Sequence, residues 1–530
     1  TTRVNVGRRE METNIKEASQ VVENLAGKNT KHDEQSSKNN STKKSDTMLI
    51  DYAKSKFELF CNYENEAYAK IKVDGHLEIL AIDSQGFHDF LRSWYYKKTK
   101  KGVPQISLDS ALSTISAIAR FDSYKEKVYL RVAQIGNEIY IDLCNKKWQC
   151  IKVTDTEWLV ENKSPVAFIR THNMLPLPYP DIDGDINLLL KHINIQKSEL
   201  PLIVGWILMA LQAGKGAYPI LLINGCAGSG KTTACRMLRK LIDPNKVDLL
   251  SQPKIEELRV ISTGNHVFAF DNISNINPAF SDAMCRVSTG DHQSFRKYYT
   301  TNSEETISIK KPIIFNGISE LAKRGDLVTR SLKIALQKIE DRKTEDEAWL
   351  AFDRDSSKIF SALLDGLSTA LCTLNNTYVD DMTRMADFCR WATASHYAFD
   401  WQEGAFMHAY IANIKASHVD SLESSTFASA VMKMFESETL FSGTPMQLLE
   451  KIEERHVTEK VVRSLKWVTT AKGVVEQLDR NQESLEAVGI FYEKSKDRQN
   501  KTLIQLTCKE DLQFKNSDCD IYPFEYEPPF

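Results

Sequence analysis

Apolar positions change their spacing in blocks along this chain. FELFCNY (57–63), AYAKIKV (67–73) and HLEILAI (76–82) are short apolar-rich runs separated by turn residues such as Asp74-Gly75, which predicts short strands. SQGFHDFLRSWYYKK (84–98) and LDSALSTISAIARF (108–121) carry helical spacing. KVYLRVAQI, NEIYIDLC and WQCIKVT then read as a β-meander. LPLIVGWILMAL (200–211) is apolar on every face and too short to span a membrane, so a buried helix is expected. Four short apolar runs follow, with helical stretches between them: PILLIN (219–224), VFAFD (267–271), KPIIFN (311–316) and SLKIAL (331–336). Strands alternating with helices predict an α/β core with a parallel sheet and a site at the strand C-termini.

The same pattern divides the chain. Residues 1–48 are polar and read as a disordered tail. Residues 49–179 form an N-terminal α/β domain, 180–345 the core, and 346–418 a helical lid. Residues 419–510 hold short helices and a terminal hairpin, and 511–530 an acidic, aromatic tail. Met11 is a candidate natural start, with the first ten residues as upstream read-through.

The 530 residues are 42% hydrophobic and 26% charged, an ordinary globular balance. A formal net charge of −3 excludes an overall basic coat but not a local basic channel. The ten cysteines form no CxxC pair, which points to reduced thiols in a cytoplasm rather than a disulfide or zinc framework.

Gly225-Cys-Ala-Gly228-Ser229-Gly230-Lys231-Thr232 fits GxxxxGK[ST] between an apolar strand and a helical stretch. Such a loop turns backbone N–H groups inward around phosphates. Lys231 then reaches the β/γ-phosphates, Thr232 offers its hydroxyl to Mg²⁺, and Thr233 continues the first helical turn. Asp271 emerges at the end of VFAFD, where a carboxylate completes a magnesium site. Asn272 follows where ATPases often carry Glu. It can hold a water but cannot take its proton, so either Asn272 positions the nucleophile or another carboxylate such as Asp282 assists. Asn316 ends the next strand, at a γ-phosphate sensor or in an ordinary Asn-Gly turn. Arg330 precedes the last strand, as a transition-state arginine for a neighbouring subunit or a surface residue, with Arg324 as the alternative. Residues 288–312 read as a hairpin with Arg296, Lys297, Lys310 and Lys311 near Tyr298 and Tyr299, a combination suited to single-stranded DNA. Its turn is acidic at Glu304 and Glu305.

GCAGSGKTT, FAFDNIS, SDAMCRVSTG, FRKYYT, PIIFNGI, DLVTRSLKIAL and TRMADFCRWATA occur in this order. Together with VYLRVAQIGNEIYIDLC, SPVAFIR and LPLP upstream, they resemble the ATPase/helicase modules of phages, prophages and genomic islands that are often linked to a primase-polymerase. The resemblance spans about residues 50–500. It implies an AAA+ core close to superfamily 3 and minichromosome-maintenance helicases, acting as a hexameric ring on single-stranded or forked DNA. It implies Lys231, Thr232 and Asp271 for ATP·Mg²⁺, Asn316 as sensor, Arg330 as trans finger and Arg384 as a second sensor in the lid. The family's winged helix falls on the C-terminal helices and hairpin. No primase precedes the core, so a primase would be a separate chain. The end CDIYPFEYEPPF is similar to the acidic tip of single-stranded-DNA-binding proteins. The expected function is an ATP-dependent DNA helicase of a mobile element. The rivals are a non-unwinding ATPase switch, a defence or assembly factor, and a helicase loader.

Overall fold

A computed structural model describes residues 44–508 except 74, 215, 274–275, 291, 297–303, 318–324, 341, 380–383 and 465–466, and only the backbone of 292–296, 304–308 and 325–326. The polar tail, the C-terminal tail, Lys297 and Arg324 therefore lie outside the described residues, as does the side chain of Arg296.

The chain divides into two compact units. The smaller takes in residues up to Leu130, with Lys146–Cys150 and Glu161–Arg170. Its antiparallel sheet orders Glu58–Cys61, Ala67–Val73 and His76–Ala81. Helices Ser45–Lys56, Gln85–Thr99 and Gln105–Phe121 accompany it, burying Leu49, Phe87, Leu91, Leu108 and Ile115 in one apolar cluster.

The larger unit holds the rest. Most of the meander, Val132 to Val160, groups here and not with the N-terminal elements. The reason is chemical. Buried Arg131 donates to the carbonyls of Leu175 and Pro244 and to the Asp243 carboxylate, and Trp158 Nε1 donates to Asp365.

Helix α1 (Leu200–Ala210) is buried along its whole length. After it come β1 (Ile220–Gly225), α2 (Lys231–Ile242), β2 (Phe268–Ile273), α3 (Pro278–Thr289), the hairpin β3 (His292–Arg296) and β4 (Glu304–Ser308), β5 (Ile313–Gly317) and β6 (Ser331–Leu336). Strands β2-β5-β1-β6 form one sheet in that order, and every pairing is parallel. The strand period of two sorts side chains onto two faces. Leu221, Ile223, Ile314, Leu332 and Ile334 join the cluster containing α1, whereas Ile220, Leu222, Phe268, Phe270 and Phe315 pack with Phe280 and Met284 of α3. Burial on both faces explains why these strands read as continuous apolar runs.

Helices α4 (Glu345–Thr373), α5 (Ala386–Ala394) and α6 (Ala405–Ser424) follow. Asn413 of α6 hydrogen-bonds both backbone groups of Lys333, at 3.0 Å and 2.6 Å, and so satisfies part of the sheet's open edge at β6. The C-terminal segment runs α7 (Thr426–Phe435), β7 (Leu440–Gly443), α8 (Pro445–Arg455), α9 (Ala471–Ala487), β8 (Ile490–Lys496) and β9 (Thr502–Cys508). Its sheet has the antiparallel order β7-β9-β8 around a separate apolar cluster. Among the described residues no helix is long and apolar enough to cross a membrane.

Candidate functional site

The loop between β1 and α2 is shaped by its glycines. A Cβ on Gly225 would stand 2.5 Å from Ser229 Oγ and 2.9 Å from the Leu336 carbonyl, so the loop can close against β6 only without a side chain there. Gly230 caps α2 with φ 80°, a left-handed conformation that favours glycine. No side chain caps that helix, so its first N–H groups, at Lys231, Thr232 and Thr233, remain available to an anion. The Lys231 ammonium donates to the carbonyls of Gly225 and Cys226, both at 2.8 Å, which holds it over the loop. The Ser229 hydroxyl is buried and has no hydrogen-bond partner.

Sheet order brings the second half of the site to this loop. Because β5 lies between β1 and β2, Asn316 stands beside Ile223 in register and between the two motifs. Thr232 Oγ1 donates to Asp271 Oδ1 at 3.2 Å. Buried Asn316 donates through Nδ2 to Thr232 Oγ1 at 3.1 Å and to the same Asp271 oxygen. A hydroxyl and a carboxylate this close, next to a phosphate-shaped loop, fit a hard divalent cation that takes its other ligands from phosphate and water. Asn272 is exposed, with φ 53°, where the β2–β5 register shifts. Asn tolerates this left-handed backbone better than Glu does, which accounts for the residue type at this position. Asp282 lies on α3.

Arg330 sits at the other end of the sheet. Its carbonyl accepts the Ile220 N–H, and β6 then runs beside β1 from Ser331 at Ile220 to Leu336 at Gly225. The two ends are roughly 16 Å apart at the usual strand rise. Arg330 is therefore not placed at the Gly225–Lys231 loop of its own chain. Arg384 shares that end: its Nη1 donates to Thr329 Oγ1 at 2.9 Å and lies 3.9 Å from Glu483. The structure thus sets Arg384 beside the finger candidate, away from its own loop.

The lysines at the hairpin base are half-buried. Lys310 Nζ donates to the Gly214 carbonyl at 2.8 Å and lies 5.5 Å from the Tyr218 ring centre. Burial lowers the Lys311 ammonium to about 8, opposed only in part by Asp243. The Lys310 side chain and the Lys311 backbone N–H, which donates to the Val287 carbonyl at 3.2 Å, tie the hairpin base to the core.

One cluster had no sequence signal. Asp243, at the end of α2, accepts the backbone N–H groups of His266 at 2.7 Å and Val267 at 3.1 Å, and faces Arg131 and Arg239. Burial opposes its charge, but the two guanidiniums hold its carboxyl below the usual range. This ties the phosphate-loop helix to the start of the Asp271 strand. An Asp ending a helix before proline looks like a surface turn in sequence.

Comparison with known proteins adds a family assignment for parts of the chain. Residues 186–416 match the family model described as actinomycete integrative conjugative element replication protein, and residues 427–517 match that of the AICE RepA C-terminal domain. No curated protein matches. Among solved structures, the apo C-terminal region of NrS-1 is 10% identical, covering 89% of this chain and 100% of its own, with a TM-score of 0.36. A JCV helicase bound to a thiazolopyridine acetamide is 13% identical, covering 44% of this chain and 63% of its own, with a TM-score of 0.23. Structural likenesses at these scores carry no functional argument.

Proposed function

We propose that this chain is an ATP-dependent DNA helicase or translocase serving replication of an integrative mobile element. It would be built on an AAA+ core with a helical lid and a C-terminal winged helix, and would work as a homo-oligomeric ring, a hexamer. The observation that carries the reading is the meeting of Thr232, Asp271 and Asn316 beside the Gly225–Lys231 loop, at the C-terminal ends of adjacent parallel strands. The replication-protein family matched over residues 186–416 sets the biological context.

In this reading the loop N–H groups and Lys231 would bind the triphosphate of ATP, and Thr232 and Asp271 would hold Mg²⁺. A divalent ion held there would supply charge neutralisation to the triphosphate. Asn316 orients Asp271 and reaches the lytic water or γ-phosphate, and exposed Asn272 positions that water. Arg330 stabilises developing charge in the neighbouring subunit's site. The winged helix would comprise α7, β7, α8, the short helix Glu459–Val462, α9 and the hairpin β8-β9, with Arg498 and Lys501 in the exposed hairpin turn. That turn would contact DNA phosphates.

A second reading, a DNA-binding ATPase switch that does not unwind, is favoured by one observation: Asn272 supplies no carboxylate base at the end of β2. The deciding measurement is steady-state ATP hydrolysis with and without single-stranded DNA, beside Lys231→Ala, followed by forked-duplex unwinding. DNA-stimulated turnover, lost in the variant, with strand separation supports the motor. Turnover indifferent to DNA supports the switch. Retained turnover in pure Lys231→Ala defeats the site assignment.

A further inference from the structure

The segment joining β6 to α4 passes beside the phosphate loop and is fixed at both ends. At its start the Gln337 N–H donates to the Asn194 carbonyl at 3.0 Å, and Asn194 Nδ2 donates back to the Gln337 carbonyl at 2.8 Å. At its end Thr344 caps α4 in a reciprocal box with Glu347. Between these anchors two side chains reach the loop. A Cβ on Gly230 would stand 3.0 Å from Ile339 Cδ1, and a Cβ on Gly228 would stand 2.9 Å from Arg342 Nη2. The Arg342 guanidinium thus lies against the loop at a residue whose φ of 79° requires glycine.

The surrounding arginines face carboxylates, and among the described residues Arg342 does not. Arg236 pairs with Asp248 and Glu345, and Arg239 faces Asp243. Among the described residues no carboxylate pairs with Arg342, whose side chain is exposed. A guanidinium, the Lys231 ammonium and the open N-terminus of α2 therefore crowd one loop with no acidic group paired to Arg342. Such a concentration of positive charge is stabilised by an anion bridging its members.

We propose that Arg342 is a phosphate-binding residue of its own subunit's nucleotide site, contacting the terminal phosphates together with Lys231. This rests on the reading of the loop as an ATP site and adds to it a charge supplied in cis, distinct from Arg330. Lys231 binds from within the loop, whereas Arg342 arrives on the segment leading into the lid, so nucleotide occupancy and lid position are joined through one side chain.

The test is titration of the full-length chain with fluorescent mant-ATP and mant-ADP in Mg²⁺, using wild type, Arg342→Ala, Arg342→Lys and Lys231→Ala. Arg342→Ala is expected to weaken mant-ATP about tenfold and mant-ADP less, with partial recovery in Arg342→Lys and an unchanged melting temperature. Wild-type affinity of Arg342→Ala for both nucleotides overturns the inference. So does an equal loss for both accompanied by a lowered melting temperature, which marks a packing role. Binding lost in Lys231→Ala but intact in Arg342→Ala leaves the ATP site standing without this residue. Failure of wild type to bind either nucleotide overturns the ATP reading and this inference with it.

Discussion

Asn316 uses one amide nitrogen to reach both Thr232 Oγ1 and Asp271 Oδ1. A buried donor shared between two oxygens fixes the direction of both, and under the proposed ATPase reading that direction matters more to the transition state than to ground-state binding. Asn316→Ala is therefore expected to lower kcat for ATP about a hundredfold while changing nucleotide affinity little. Stopped-flow nucleotide binding beside steady-state turnover separates the two. A loss confined to affinity would remove Asn316 from the catalytic set. Asp271 and Asn316 were legible in the sequence because each ends a short apolar run, where parallel strands deliver side chains to a site. Arg342 was not legible. It lies in KIEDRKTEDE, a charged stretch that reads as solvated linker, and only the return of that segment to the loop brings its guanidinium to Gly228.

At the scale of elements, the end of α2 and the start of β2 are joined by one buried carboxylate. Asp243 is the acidic partner that Arg131 and Arg239 share, and Asp243→Ala would leave two buried guanidiniums facing each other. The expected cost is about 3–5 kcal/mol in chemical denaturation. An unfolding midpoint equal to wild type would show that the cluster is solvated. Acid acts on the same place. Burial holds His266 at about 4, with Asp243 pulling the other way, and the Ala210 carbonyl accepts from Nε2. Below the unfolded value of 6.5 the unfolded chain takes up a proton that the native one refuses. Stability should therefore fall as pH drops from about 6.5 to about 4, and His266→Gln should flatten that slope. Unfolding curves at several pH values check the sign; an unchanged slope in the variant assigns it elsewhere. The four core strands were readable from their apolar runs, whereas this cluster was not, because its members are scattered from Arg131 to Lys311 and each looks like an isolated surface charge. Lys310 and Lys311 show the same limit: a basic pair next to aromatic residues reads as a DNA grip, and the sequence does not reveal that Lys310 also meets the Gly214 carbonyl.

For the whole molecule, the separation between Arg330 and the Gly225–Lys231 loop of its own chain bears on assembly. Two ends of one strand, roughly 16 Å apart, cannot serve one γ-phosphate. If Arg330 is catalytic, its target is the loop of another copy, and each active site contains Lys231 from one chain and Arg330 from the next. A head-to-tail interface of this kind closes into a ring when the rotation per subunit permits. Lys231→Ala and Arg330→Ala should each abolish turnover in pure form, but by different routes: the first loses nucleotide binding, the second keeps it. Mixed in equal amounts and allowed to exchange subunits, they place an intact Lys231 opposite an intact Arg330 at about a quarter of the interfaces, so turnover should return toward that fraction of wild type. Arg342→Ala mixed with Lys231→Ala should gain nothing over the average of the two pure variants, because both residues belong to the same half of the site. Recovery in the first mixture but not the second would distinguish the two arginines by the subunit they serve. No recovery in the first, with exchange verified by labelled chains, would remove Arg330 from the neighbour's site and leave its neighbours Thr329 and Arg384 as a structural joint between the core and helix α9.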